Sequence, residues 1–188
     1  MLTLRKILLI ALIGAMPLNY VSADQSRQIV RVLGCNDPEK IHVTRERAYF
    51  CLDYLGILED IILLITFVDF NPQNETYKQH LLGTTIPSAF DGKPMMHVLI
   101  EKNLGFERQM IVLYHEITHV KQFIRKELIQ HANEHITWKG KDYYRILETD
   151  YAQRAWEKEA LTFQDKIHTA FEARLKEQKI SLVQNSSY

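Results

Sequence analysis

The chain has 188 residues and a formal net charge of +0, with 46% hydrophobic and 24% charged residues. These values are typical of one globular domain. The balanced charge gives no electrostatic reason to expect nucleic-acid binding or attachment to an anionic membrane surface.

The first 23 residues have the layout of a secretory signal peptide. Basic residues at positions 5 and 6 precede an apolar run over 7–18, and V-S-A at 21–23 is a small-residue cleavage site. The run is shorter than the roughly 20 residues that a spanning helix needs. We therefore expect cleavage after Ala23, leaving a periplasmic or secreted domain of residues 24–188 without a membrane anchor.

Two cysteines lie in the predicted mature chain. An oxidising compartment would permit a disulfide between Cys35 and Cys51. Such a bridge would close a loop of about 15 residues, worth roughly 3 kcal/mol in the chain-entropy model. Two buried free thiols are the alternative that the sequence leaves open.

The N-terminal half of this domain predicts one helix among short strands. Thr44 is expected to cap a helix that ends near Leu55, and N-D-P at positions 36–38 predicts a turn. Residues 73–93 are polar and contain glycine and proline, which predicts a loop. The predicted strands are 24–33 (a strand or an ordered arm), 61–68 and 94–101.

The C-terminal half predicts two long helices separated by a hairpin. Apolar residues recur at helical spacing over 107–126 and again over 151–178. Between them, W-K-G-K at 138–141 predicts a turn joining short strands, and the last residues, 181–188, are expected to fray. These elements predict an α+β domain.

The helix predicted over 107–126 carries the motif H-E-x-x-H. His115 and His119 are four residues apart, so one face of the helix presents both imidazoles to a single metal ion. Glu116 lies beside the first histidine, as in zinc sites whose glutamate acts as general base. A pair of surface histidines with an adjacent glutamate is the alternative interpretation.

A catalytic zinc ion takes three protein ligands and leaves one position for water. The extended motif with a third histidine is excluded, because Gln122 and Arg125 stand where it requires glycine and histidine. A carboxylate from another helix is the remaining common choice. The final predicted helix offers Glu157 and Glu159.

The combination of H-E-I-T-H with W-E-K-E-A on a later helix resembles the gluzincin branch of the zincin metallopeptidases. The resemblance favours Glu157 over Glu159, since Trp156 precedes Glu157 and Ala160 follows it at the third position. It departs from the pattern at Leu161, where an aspartate is usual.

The resemblance implies a minimal zincin-like domain with a small β-sheet packed on the motif helix and a C-terminal glutamate helix. It also implies Zn²⁺ held by His115, His119 and Glu157, and peptide-bond hydrolysis by a zinc-activated water with Glu116 as general base. Protein or peptide substrates are therefore expected. Two other functions stay open: a non-catalytic zincin-like binding domain, and a metal-dependent amidase acting on cell-wall peptides.

The residues that would assist this chemistry are not selected by the sequence. Thr149 or Asp150 could orient a ligand or cap the last helix. A donor to the developing oxyanion is expected between the two motifs. The candidates are Tyr143, Tyr144, Tyr151, His131, His135 and Arg154.

Overall fold

The computed structural model describes residues 28–70, 82–132 and 135–185. In these residues, three α-helices and two small sheets form one small α+β domain, which confirms the predicted fold class. The predicted signal peptide, residues 1–23, lies outside the described residues. No helix within the described ranges is both long and apolar enough to cross a membrane.

The larger sheet consists of four strands, β1 (Gln28–Leu33), β2 (Ile61–Val68), β3 (Gly83–Phe90) and β4 (Lys93–Glu101). Their order in the sheet is β1-β2-β4-β3. Strands β1, β2 and β4 run parallel, and β3 pairs antiparallel with β4 at the edge. The predictions for β1, β2 and β4 are confirmed, and the arm alternative for β1 is excluded.

The prediction of a loop over 73–93 is wrong for the part that forms β3. Asp91 and Gly92 join β3 to β4 as a two-residue turn, and both have positive φ, at 50° and 74°. Asp-Gly is a strong hairpin signal for this geometry. Pro87 is compatible with the strand because β3 is an edge strand. Residues 71–81 lie outside the described residues.

Helix α1 spans Pro38–Tyr54 and begins earlier than predicted. Its N-cap is Asp37, whose carboxylate accepts from the backbone amides of Glu39 and Lys40 at 3.0 and 3.3 Å. Pro38 fits the first turn, where its missing N–H is not needed. Thr44 is therefore no cap but a buried residue inside the helix.

Helix α2 spans Phe106–Ile124 and is the centre of the domain. It packs against β3, β4, α1 and α3. Most of its residues between 109 and 122 are buried, which agrees with the predicted helical periodicity. Helix α3 spans Ala155–Asn185, so the predicted helix is confirmed but starts later and includes residues 181–185, which were expected to fray.

The second sheet is a three-stranded antiparallel meander between α2 and α3, which confirms the predicted hairpin. Lys139 and Gly140 form its two-residue turn, with φ of 47° and 79°. Trp138 and Trp156 belong to the small apolar cluster that joins this sheet to α3. Its strands are β5 (Leu128–Gln130), β6 (Ile136–Trp138) and β7 (Lys141–Tyr143).

Both cysteines are free thiols, so the candidate disulfide between Cys35 and Cys51 is not formed in this structure. Cys51 is fully buried in the main core, whereas the Cys35 thiol lies beyond β1 and donates to the Asp37 carbonyl oxygen at 3.8 Å. Burial raises the pKa of the Cys51 thiol well above its usual value, which keeps it protonated and unreactive.

Candidate metal centre

The middle of α2 buries the three motif residues. His115 and His119 are each 7% exposed, and Glu116 is 4% exposed. The histidines lie one turn apart on the face of α2 that packs against α3. The alternative of a surface histidine pair is therefore excluded.

Glu157 in the first turn of α3 completes a compact triangle with the two histidines. The Glu157 Oε2 atom lies 3.1 Å from His115 Nε2 and 3.2 Å from His119 Nε2. The two Nε2 atoms are 3.1 Å apart. Among the described residues, these three form the one group whose ligand atoms could meet at a metal ion.

The triangle fits a tetrahedral zinc ion in size and chemistry. Zinc bonds of about 2.0–2.2 Å place neighbouring ligand atoms about 3.3–3.5 Å apart in a tetrahedron. The observed edges of 3.1–3.2 Å are close to this spacing. Two imidazoles and one carboxylate are also ligands that zinc accepts, and they leave one position open.

Contacts within the cluster shift the pKa values of its members in opposite directions. Burial alone would raise the pKa of Glu157, but hydrogen bonds from His115, His119 and Tyr151 lower it well below its usual range. Burial would likewise lower the pKa of His119, but the hydrogen bond to Glu157 and its charge raise it to about 9. The Glu157 carboxylate is therefore buried and held by hydrogen bonds from two imidazoles and a phenol.

The Glu116 side chain contacts both β3 and the pocket that His115 lines. The Thr85 hydroxyl lies 2.8 Å from Glu116 Oε2 and 2.9 Å from the Glu116 backbone oxygen. Burial raises the pKa of Glu116, and the two histidines and Thr85 offset this only in part. A raised carboxyl pKa suits a group that accepts and returns a proton near neutral pH.

Gly83 of β3 lies directly against the Glu116 side chain. A Cβ atom at this position would lie 2.8 Å from Glu116 Oε1 and 2.5 Å from Val112 Cγ1. The absence of a side chain at Gly83 is therefore what allows the strand and the carboxylate to approach each other.

Tyr151 is the one oxyanion-donor candidate that the structure brings to the triangle. Its hydroxyl lies 3.1 Å from His115 Nε2 and also hydrogen-bonds the Glu157 carboxylate. Burial and the neighbouring carboxylates raise the pKa of Tyr151, so the phenol keeps its proton. Arg154 stacks over the Tyr151 ring, 5.4 Å from its centroid, and donates to the Thr149 carbonyl oxygen.

The other candidates lie elsewhere. His131, His135 and Tyr144 stack on one another at the second sheet, with ring centroids 4.2 and 4.5 Å apart. Tyr143 packs edge-on against Trp156. Asp150 accepts from the Ala152 amide at 3.3 Å and caps a short 3-10 turn before α3.

Glu159 is not part of the triangle, although the sequence left it open as the third ligand. Its carboxylate accepts from Lys121 at 3.2 Å, from Lys139 at 2.9 Å and from Gln122 at 2.9 Å. Burial would raise the pKa of Glu159, but these hydrogen bonds and the Lys121 charge lower it. This carboxylate is bound by cations of the protein itself.

Gln122 is the site residue that the sequence reasoning missed. In the sequence, Gln122 only marks a departure from the three-histidine motif. In the fold, its amide oxygen lies 2.7 Å from His119 Nδ1. Its position three residues after His119, on the same helical face, was the signal that could have found it.

A pocket of about 370 Å³ opens beside the triangle. Its lining comes from α2, from α3 and from the start of β3, and it includes His115, Glu116 and Tyr151. Its lining includes Leu82, Ile111, Val112, Leu161, Arg108 and Gln164. A group bound in this pocket would therefore lie next to His115 and Glu116.

Comparison with known proteins finds no protein-family model that matches this chain and no curated protein that is similar to it. The resemblance to the gluzincins therefore remains a hypothesis, supported by the H-E-x-x-H motif and by the three side chains that converge on one point.

Proposed function

We propose that this protein is a zinc-dependent peptidase in which Glu116 is the general base. The observation that carries the proposal is the buried triangle of His115, His119 and Glu157, whose ligand atoms are 3.1–3.2 Å apart. Glu116 and Tyr151 border the same pocket as His115, so a substrate carbonyl could be reached by all of these groups.

The residues have distinct roles in this proposal. His115, His119 and Glu157 would hold zinc, which when bound polarises a carbonyl and lowers the pKa of water. Glu116 takes the proton of the attacking water and delivers it to the leaving amine nitrogen. The Tyr151 hydroxyl donates to the substrate oxygen as negative charge develops on it.

The predicted signal peptide supports action outside the cytoplasm, on proteins or peptides of the periplasm or the medium. The same chemistry would serve an amidase acting on cell-wall peptides. Cleavage of a peptide library, set against release of fragments from peptidoglycan, distinguishes these two substrate classes.

The proposal is tested with the purified mature chain, its zinc content and a chelator-sensitive peptide-cleavage assay. Glu116→Gln should keep zinc but lower turnover by roughly 10²–10⁴-fold, because proton transfer is lost while the ligands remain. Glu107→Gln is a matched control on the same helix, since the Glu107 carboxylate pairs with Arg47 and not with the triangle. It should keep both zinc and turnover.

Two outcomes would contradict the proposal. Full activity in Glu116→Gln would show that Glu116 is not the general base. Absence of bound zinc in the wild-type protein would show that the triangle is not a zinc site. A protein that binds zinc but cleaves neither substrate class would instead be a non-catalytic binding domain.

A further inference from the structure

The buried amide of Gln122 joins the two helices that form the metal centre. Gln122 is 0% exposed and lies one turn after His119 on α2. Its side chain makes hydrogen bonds at both ends, one towards His119 and the others towards the first residues of α3. Such a residue can transmit the position of one helix to a side chain of the other.

The surroundings of the amide fix its orientation. Its Nε2 atom lies 3.0 Å from the Trp156 carbonyl oxygen and 2.9 Å from Glu159 Oε2. A backbone carbonyl can only accept, so the NH₂ end must face it. The Oε1 end therefore faces His119 Nδ1, at 2.7 Å.

This orientation also fixes the tautomer of the histidine. An amide oxygen has no proton to donate, so the short contact is a hydrogen bond only if His119 Nδ1 carries the proton. The neutral ring then has its free lone pair on Nε2. That atom is the one that faces His115 Nε2 and Glu157 Oε2, at 3.1 and 3.2 Å.

The acceptors that hold the amide are themselves held firmly. Glu159 is fixed by Lys121 and Lys139, at 3.2 and 2.9 Å. Trp156 is 3% exposed and immediately precedes Glu157 in α3. The bridge from Gln122 therefore ends next to the third ligand of the proposed centre.

We propose that Gln122 is a positioning residue that holds His119 in the Nδ1–H tautomer and aims its Nε2 atom at the metal. The proposal rests on the zinc site proposed above, but not on peptidase activity. Partners of this kind typically change metal affinity by roughly 10–100-fold when they are removed.

A purely structural role for Gln122 is the competing explanation, and the chain offers a matched control. Gln109 lies on the same helix, is also 0% exposed, and donates to the carbonyl oxygens of Glu101 and Lys102 at 3.2 and 2.9 Å. It makes no contact with either histidine. Gln122→Met and Gln109→Met therefore each remove a fully buried amide that donates two hydrogen bonds, and only the Gln122 amide is hydrogen-bonded to a proposed ligand.

The experiment compares both variants with the wild-type protein by two measurements. Zinc affinity is measured by competition with a chromophoric chelator, and Gln122→Met should lose roughly 10–100-fold. The ¹⁵N shifts of labelled histidine, recorded on the zinc-loaded protein, report which ring nitrogen of His119 carries the proton. The wild type and Gln109→Met should show the Nδ1–H form of His119, and Gln122→Met should gain the Nε2–H form.

The outcomes separate this proposal from the earlier ones. An Nε2–H tautomer in the wild-type protein would refute the role of Gln122 even if the variants fail to fold. Equal losses of zinc affinity in both variants would make it a structural residue. A wild-type protein that binds no zinc would refute the metal site itself, whereas zinc binding without cleavage would refute only the peptidase.

Discussion

Glu157 and Glu159 lie two residues apart in the first turn and a half of α3, and both face α2, but their surroundings are opposite. Glu159 lies between two lysines and an amide, all of which donate to it. Glu157 meets two imidazoles and a phenol, and no lysine or arginine of the described ranges is paired with it.

The difference distinguishes a structural carboxylate from a proposed metal ligand. Around Glu159 the protein supplies the cations, so the charge is compensated and the groups hold the helices together. Around Glu157 the partners are imidazoles, which can themselves offer lone pairs to an ion. Three such groups directed at one point leave a buried charge whose most suitable partner is a metal cation.

Removing each carboxylate in turn should separate the two roles most strongly. Glu157→Ala leaves two ligands and should lower zinc affinity by more than the roughly 100-fold expected for an outer partner. Glu159→Ala should lower it by roughly tenfold at most, since Gln122 keeps the Trp156 carbonyl as an anchor. Elemental analysis and chelator competition measure both. Similar loss of zinc affinity in the two variants would contradict the different roles proposed for Glu157 and Glu159.

Glu159 should matter more for the stability of the metal-free protein than for zinc binding. Glu159→Ala leaves Lys121, whose side chain is 5% exposed, with Glu127 at 3.4 Å as its remaining carboxylate. We expect a loss of about 1–3 kcal/mol in the free energy of unfolding, because buried donors lose an acceptor. Urea denaturation with excess chelator measures this loss. An unchanged midpoint would show that the cluster contributes little.

The contribution of Glu159 to stability should also depend on pH, which is a smaller effect than the two above. The folded-state pKa of Glu159 is lowered from the ordinary value of 4.5. Its contribution is therefore fully present above pH 4.5 and is lost as the pH falls through the lower folded-state value. The stability difference between the wild type and Glu159→Gln, in chelator, should shrink on acidification. A stability difference that grows on acidification would mean that the folded state raises the pKa of Glu159 rather than lowering it.

The parts of the fold with a strong local pattern were predictable. The apolar run of β2 and the helical periodicity of α2 result from burial, so both elements can be predicted from the residue pattern alone. Strand β3 was missed because, as an exposed edge strand, it owes its conformation to pairing with β4 rather than to its own residues. Asp37 was missed as a cap because N-D-P is equally typical of a turn.

Some residues of the candidate site were likewise predictable from the sequence, and others were not. The histidines and Glu116 follow from helical spacing, and the resemblance favoured the carboxylate that the structure brings to them. Metal binding itself stays a prediction. Thr85 could not be chosen from the sequence, because its role depends on how β3 packs against α2. The spacing of Gln122 after His119 is visible in the sequence, but its anchors on α3 are not. Such partners are fixed by tertiary contacts rather than by spacing along the chain.

The close approach of Gly83 to Glu116 has a consequence for how the protein could lose function. The ligands are arranged by α2 and α3, whereas the proposed base is arranged by Gly83 and Thr85 of β3. A substitution at Gly83 could thus displace the base and leave the ligands in place. Under the proposed function, zinc binding and turnover therefore depend on different parts of the fold, and a zinc-loaded Gly83 variant could still be inactive.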